Sequence, residues 1–421
     1  MALSIKPPKG TRDWAPDEFR KRKYIFDTWR SVCERYGYKE YLTPIVEHAD
    51  VYRAKSGEDV GGAELVTFED RGGRELSVRP EMTPSVTRMV SGMYESAPKP
   101  LRLFSIANFM RNERPQRGRN REFWQLNADL FGDESVYADV EVLQMALDLM
   151  LAFKPPTESF VLRINSRNVI DTVLAQAHVS EDHRQDVVRI LDKWAKLTPE
   201  QIAEKLTAAG VLSEGQNVIT SYMNGQDIGL VDVSDDQTDS FNHLKKVIEL
   251  LTVRGYGDYI AFAPEIIRGF DYYDGIIFEV FDLHPDNSRA LFGGGRYNGL
   301  AGIFGRAPFP SVGFAPGDET MYLFLESWGL FDALSVQTPA YYMPILDDTS
   351  ETYVQNVACT LRDSGKHVTT GLSVQPIGKA FKAAEKGGFT HVVLAGENEQ
   401  DDSVYIVKDL RSGDEEKISF G

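Results

Sequence analysis

Apolar residues recur at helical spacing through Phe19, Ile25, Phe26, Trp29, Val32, Cys33 and Tyr36. Pro16 suits a first turn and Gly37 can close the end, so the spacing predicts a helix over 16–36. Residues 38–46 then read as a strand. Pro44 inside it places that strand at an edge or interface, because proline cannot donate to a ladder. Residues 76–79, 101–109 and 123–131 read as further strands, and 137–151 as a helix.

From 166 to 250 the pattern turns helical, with predicted helices over 181–195, 199–209 and 241–253. This block reads as a small helical insertion. Strand chemistry returns over 260–282, followed by a turn-rich stretch at Gly293, Gly294, Gly295 and Gly299. A short strand over 312–315 leads into a helix to 328. A boundary falls near 329–338. Beyond it, strands over 340–346, 367–370 and 391–395 alternate with two helices. The first opens on a capping-box-like Asp348-Thr349-Ser350-Glu351 and the second on Pro376, and a hairpin turns at Ser412-Gly413. Strands alternating with helices imply a small α/β domain over 338–421. The organisation expected is a main domain over 1–165 and 251–329, the insertion over 166–250, and this C-terminal domain.

The 421 residues suit two to three domains, and 42% hydrophobic with 26% charged residues is a globular balance. The net charge of −17 argues against a chain that simply coats nucleic acid. It is unevenly spread: 166–250 and 331–421 each carry −6, leaving −5 on the rest. The acidic run Asp232, Asp235, Asp236 and Asp239 reads as a solvated loop. Two distant cysteines, Cys33 and Cys359, form no disulfide framework and suit a reducing compartment. The opening residues lack an apolar signal core, there is no CaaX box, and the apolar run 143–153 is broken by Asp148. A cytoplasmic protein with no membrane span is expected. No metal site is expected, since the spacing of His178 and His183 is a weak signal. Neither a P-loop nor a dinucleotide fingerprint is present.

The strongest local signal is the strip from Asn108 to Gln125. Residues 101–121 hold six arginines and one glutamate, between two apolar strands and with Pro115 and Gly118 at the tip. Arginine there suits bidentate phosphate recognition. The string Arg111-Asn-Glu-Arg-Pro-Gln-Arg-Gly-Arg-Asn-Arg-Glu-Phe-Trp-Gln125 resembles motif 2 of class II aminoacyl-tRNA synthetases, in the form used by histidyl-tRNA synthetases. Other segments agree in the family's order. Lys9-Gly10-Thr11-Arg12-Asp13 and the Pro44 strand resemble the opening and motif 1. Arg79-Pro80-Glu81-Met82-Thr83 resembles the histidine-binding strand. Arg268-Gly269-Phe270-Asp271-Tyr272-Tyr273 and Gly293-Gly294-Gly295-Arg296-Tyr297-Asn298-Gly299-Leu300 resemble the histidine-specific signatures.

The resemblance implies a class II α+β catalytic domain built on an antiparallel sheet flanked by helices, with a helical insertion and a C-terminal α/β anticodon-binding domain. It implies a homodimeric histidine–tRNA ligase using L-histidine, ATP with Mg2+, and tRNA(His). Activation is attack of an already ionised carboxylate on the α-phosphorus, so positive charge and positioning matter more than a base. By the same resemblance Arg111 and Arg268 are the catalytic arginines, with Arg111 on the α-phosphate. Glu113 would accept from the adenine amino group, Phe123 would stack on the ring, and Arg119 or Arg121 would reach the outer phosphates. Glu81, Thr83 and Gln125 would hold the substrate ammonium. Asp129, Tyr273 and Tyr297, with Tyr272 beside them, would meet the imidazole. Arg114, Gln116 and Arg117 would meet the tRNA acceptor end. Tyr341, Tyr342, Phe381 and Lys382 are weak candidates for the anticodon.

One position departs from the pattern. After Val312-Gly-Phe-Ala-Pro-Gly-Asp-Glu319, Thr320 stands where the family's motif 3 carries an arginine on the adenine face and γ-phosphate. Threonine can do neither. Another arginine, Arg306 or Arg296, supplies the charge; or ATP binds more weakly; or the chain is a non-charging, histidine-sensing regulatory paralogue.

Overall fold

The computed structural model describes residues 3–54, 59–225, 239–267, 272–287, 289–335 and 339–421. They divide into two compact units, 1–331 and 332–421. Arg268, Gly269, Phe270 and Asp271, and Asp232, Asp235 and Asp236 of the acidic run, lie outside the described residues.

The first unit opens with α1 (Pro16–Arg35), which carries proline and two acids in its first turn and Arg35 in its last, matching the helix dipole. Its buried stripe of Ile25, Phe26, Trp29, Val32 and Cys33 is the periodic set seen in the sequence. The strand expected over 38–46 is broken. Only β1 (Lys39–Glu40) pairs with the main sheet, and β2 (Val46–His48) joins another. Pro44, which has no N–H to give, lies in the gap. After α2 (Ala49–Arg53), β3 (Val66–Glu69) and β4 (Glu75–Val78) complete a three-stranded sheet in the order β2-β4-β3. α3 (Thr83–Met93) follows. β5 (Leu101–Met110) and β6 (Glu122–Phe131) form a long hairpin, paired from Leu101 with Phe131 to Met110 with Glu122.

α4 (Val136–Leu151) is apolar on most of its circumference and buried accordingly. β7 (Phe160–Ser166) leads into a run of helices: α5 (Arg167–Gln176), α6 (Glu181–Asp192), α7 (Pro199–Ala208), α8 (Ser213–Asn224) and α9 (Asp239–Leu251). Thr198 and Gln201 close a capping box on α7. β8 (Ile260–Phe262), β9 (Ile276–Asp282), β10 (Ala290–Arg296), β11 (Ser311–Phe314) and α10 (Asp318–Ser327) complete the unit.

The main sheet runs β1-β5-β6-β11-β10-β9-β7-β8. It is antiparallel except for the outer pairs β1/β5 and β7/β8. α1, α4 and α10 pack on its strands and share one large core with α5 to α9. A separate cluster of Met82, Val86, Val90, Phe109, Phe131, Tyr272, Tyr297 and Phe309 collects around α3. That second cluster lies beside the cleft described below.

The second unit is a five-stranded sheet with helices between its strands: β12 (Ala340–Ile345), α11 (Glu351–Asp363), β13 (His367–Val374), α12 (Ile377–Lys386), β14 (His391–Leu394), α13 (Glu397–Asp401), β15 (Val404–Asp409) and β16 (Glu415–Ser419). Its order is β13-β12-β14-β15-β16. The cap expected from 348–351 is made differently. Asp347 Oδ1 accepts from Ser350 N at 2.7 Å and from the Thr349 hydroxyl at 2.8 Å, and Ser350 caps nothing. Among the described residues, no helix is long and apolar enough to cross a membrane.

Candidate active site

The middle strands of the main sheet floor an open cleft of about 1530 Å³. A pocket for one drug-sized ligand spans roughly 300–1,000 Å³, so the cleft has room for two small substrates side by side. Its two ends differ in chemistry.

One end is an acidic box with aromatic walls. Gln125, Asn127 and Asp129 alternate along β6 and so share a face. Asp129 is buried; its Oδ1 accepts from the Tyr297 hydroxyl at 2.5 Å, and its Oδ2 has no partner among the described residues. Burial pushes this carboxyl up to about 7, and the Tyr297 hydrogen bond opposes the rise. Asn127 Oδ1 is also buried without a partner among the described residues. Glu81, equally buried, accepts from the Tyr272 hydroxyl at 2.8 Å, and Thr83 lines the wall from the first turn of α3. Tyr272 meets Tyr273 and Tyr297 edge-on, with centroids 5.0 and 5.8 Å away. Gln125 Nε2 donates to Ala315 O at 3.2 Å. Buried acceptors left open within an aromatic frame suit a ligand rich in N–H donors.

Two glycines keep this box open. A Cβ at Gly313 would overlap Asp129 Oδ1, and one at Gly295 would come within 2.9 Å of the Tyr273 ring.

The other end is basic. Arg111 follows β5, donates from Nε to Pro80 O at 3.0 Å, and holds its guanidinium 5.2 Å from the Phe123 centroid. Phe123 stacks on Phe109 at 5.8 Å, which fixes its plane. Glu113 pairs with Arg119 at 2.6 Å. The hairpin closes through mutual Gln116–Arg119 backbone bonds of 2.9 Å around Gly118, whose φ of +73° favours glycine.

The structure brings together Glu81, Thr83, Arg111, Glu113, Gln116, Arg119, Phe123, Gln125, Asp129, Tyr272, Tyr273 and Tyr297 in this cleft. It leaves others out. Arg121 is not on the lining; its Nε donates to Glu113 O at 3.1 Å and its backbone N to Gly10 O at 2.9 Å. Arg114 and Arg117 are exposed on the hairpin, off the lining. Arg268 falls outside the described residues.

The substitutes expected for the missing arginine at 320 do not serve. Arg296 turns to α4, where Nε and Nη2 reach Asp139 at 2.9 Å and Nη1 reaches Asp133 O at 3.1 Å. Arg306 is exposed and off the lining. Thr320 itself donates to Leu291 O at 2.7 Å, with Gly317 O at 3.1 Å.

Sequence reasoning missed several groups here. Asn127 sits between two chosen residues at strand period, so alternation alone would have found it. Glu279, a half-buried carboxylate pushed up to about 7 by desolvation and opposed by Arg163, lines the cleft from β9. Arg289 at the entry to β10, and Arg167, Arg184 and Arg189 from the helical block, also line it. Nothing local marks these last four. A further missed feature is a clasp: buried Arg22 of α1 reaches Asp318 at 2.6 Å and Glu319 at 2.8 Å, and Arg12 reaches Glu319 at 2.6 Å. Asp318 also accepts from Trp124 N at 2.9 Å, tying α10 to β6.

In the second unit Tyr342 is buried and bonded by Gln375, a core role. Tyr341 stacks on His391 with centroids 4.6 Å apart, Phe381 lies under Lys408 Nζ at 5.6 Å, and Lys382 is exposed.

Comparison with known proteins bears on the whole chain. The histidyl-tRNA synthetase family profile matches residues 10–319, and an anticodon binding domain profile matches 340–421. The chain is 38% identical to the histidine–tRNA ligase of Leptospira biflexa, over 99% of this chain and 96% of the relative. Its fold is similar to the histidyl-tRNA synthetase structure from Nostoc sp. PCC 7120, at a TM-score of 0.81 and 22% identity over 99% and 97% of the two chains. It is also similar to a structure described as an ATP phosphoribosyltransferase regulatory subunit/histidyl-tRNA synthetase from Bacillus halodurans C, at 0.77 and 21% over 94% and 99%. Two profiles in the expected order, and a full-length relative at that identity, establish that the chain belongs to the histidyl-tRNA synthetase family.

Proposed function

We propose that the protein is a histidine–tRNA ligase, activating L-histidine with ATP to histidyl-adenylate and transferring it to the 3′ end of tRNA(His). One observation carries this reading. The cleft sets a buried, open carboxylate oxygen on Asp129 within an aromatic box, beside a basic hairpin whose Phe123 has a guanidinium near its ring. The imidazole N–H fits Asp129 Oδ2, with the Tyr297 hydroxyl holding Oδ1. The ammonium fits Glu81, Thr83 and Gln125. A carboxylate placed there faces Arg111. An apolar amino acid leaves the buried acceptors unpaired, which selects against it.

ATP then lies along Phe123, with its adenine amino group toward Glu113 and its outer phosphates toward Arg119. In-line attack needs no base, because the substrate carboxylate is ionised; Arg111 stabilises charge at the α-phosphorus. Arg268 is proposed as the second catalytic arginine on the family resemblance alone. Mg2+ would enter with the triphosphate and neutralise its charge, needing few protein ligands. Glu279, half-buried on the cleft floor, would supply one remaining ligand.

Arg114, Gln116 and Arg117, presented on the hairpin, are proposed for the tRNA acceptor end. The domain division proposed is 1–165 with 251–329 for catalysis, 166–250 as the insertion, and 338–421 for the anticodon. Exposed Leu42, Ile45 and Phe68 around the Pro44 segment support a homodimer. Light scattering should give twice the 47.3 kDa chain mass, and a monomer would overturn that part. Two free thiols suit the reducing cytoplasm. The regulatory alternative has no observation in its favour. Amino-acid-dependent exchange of pyrophosphate into ATP tests the activation step: histidine alone should support it. Exchange with another amino acid, or none at saturating histidine, would overturn the reading.

A further inference from the structure

Thr320 leaves the β10–α10 wall of the nucleotide end without its expected cation, and its hydroxyl is spent on Leu291 O and Gly317 O. Leu291 belongs to a register irregularity: Ala290 pairs with Phe281 and Phe292 with Val280, so Leu291 bulges out of the ladder. The Leu291 carbonyl accepts from Thr320, and Arg289 stands two residues before it at the strand entry. Arg289 lines the cleft together with Ala290, Leu291 and Thr320.

The contacts of Arg289 are neutral. Nη2 donates to Gln116 Oε1 at 2.9 Å and Nη1 to Arg117 O at 3.5 Å, both on the arginine-rich hairpin, and the side chain is exposed. It has no carboxylate partner among the described residues. Three other lining arginines are paired with carboxylates: Arg119 with Glu113, Arg184 with Asp171, and Arg189 with Asp186, while Arg111 is the arginine already assigned to the α-phosphate. A cation with only neutral partners keeps its full charge for an anionic ligand, and exchanging a neutral acceptor for a phosphate oxygen strengthens the bond.

We propose that Arg289 binds the outer phosphates of ATP, supplying from the β10 bulge the charge that position 320 does not. The contact pairs the hairpin on one wall with the bulge on the other, so that the triphosphate is held between Arg119 and Arg289. This rests on the ligase reading, since it assumes that the nucleotide enters at this end.

The test is pyrophosphate exchange with the full-length protein, varying MgATP and histidine separately, beside calorimetric titration of MgATP. Arg289→Ala should lower kcat/KM for ATP about ten- to a hundredfold, with the histidine KM within about twofold of wild type. Calorimetry should show a matching loss of MgATP affinity. Thr320→Arg added to Arg289→Ala should recover part of the loss, and Arg306→Ala should behave as wild type. An Arg289→Ala protein with wild-type kcat/KM for ATP would overturn the proposal. So would normal exchange with slowed transfer to tRNA, which would assign Arg289 to the acceptor end. A wild-type protein that binds MgATP but does not exchange would sink the ligase reading, while the titrations would still decide the role of Arg289.

Discussion

At Asp129, burial and a single hydroxyl bond set the terms of the proposed substrate choice. Asp129→Asn should raise the histidine KM at least tenfold and leave the ATP KM within about twofold, because only the imidazole end loses its anion; equal losses for both substrates would contradict this. The carboxyl titrates near 7 in the folded, ligand-free protein and at about 3.9 unfolded. Its proton is thus held more tightly by the folded state. The group's contribution to ligand-free stability is full below about 4 and is lost as pH rises through 7. Histidine binding runs the other way, since the ionised form accepts from the imidazole. kcat/KM for histidine should rise through pH 7, and in Asp129→Asn that step should vanish, leaving the substrate's own imidazole near 6.5. A profile unchanged by the substitution would remove Asp129 from recognition. Gly313→Ala should block the same box sterically, because its methyl would overlap Asp129 Oδ1. Histidine affinity should fall while MgATP still binds in a titration, and retained histidine affinity would contradict the geometry. Asp129 was singled out through its place in an ordered set of motifs; Gly313 was not, because a glycine's close approach to a side chain leaves no local signal. Arg289 was not legible either, because its proposed role depends on a strand bulge that one dimension does not show.

Among the elements, α10 is held by buried ion pairs as well as by packing. Arg22 joins α1 to Asp318 and Glu319 at the start of α10, and Asp318 continues to Trp124 N, one residue from Phe123. The clasp therefore ties the strand carrying Phe123, the proposed adenine platform, to the helix that follows β11. Arg22→Met strands a buried carboxylate and should cost about 3–5 kcal/mol. Urea unfolding of the first unit checks this. Adding Asp318→Asn should recover part of the loss, whereas a loss below about 1 kcal/mol would show the clasp to be energetically idle. The long elements were readable from periodicity: α1, α4 and the β5–β6 hairpin lie within a residue or so of their expected bounds. The strand over 38–46 was not, because proline divides it between two sheets. The α11 cap was misplaced because Asp347, one residue before the expected box, outcompetes Ser350 for the turn.

Across the whole chain the charge of −17 is an argument about selectivity. The blocks 166–250 and 331–421 carry −6 each, against +5 on 101–121. A tRNA held by this chain is met at a few basic points on a surface that otherwise repels phosphate. Random RNA should bind weakly at physiological salt, and tight, steeply salt-dependent binding of it would contradict the account. The two-unit division was legible from the change of pattern near 329–338 because a strand–helix alternation cannot continue an antiparallel sheet. The order of the eight central strands was not, since pairing between distant segments leaves no local trace. The central claim is that one cleft selects histidine and delivers it to one tRNA. The most direct measurement is charging of unfractionated tRNA with each labelled amino acid in turn, followed by identification of the charged species. The account predicts that histidine alone becomes acid-precipitable, and on tRNA(His) alone. Charging by another amino acid, or no charging at saturating histidine and ATP, would contradict it.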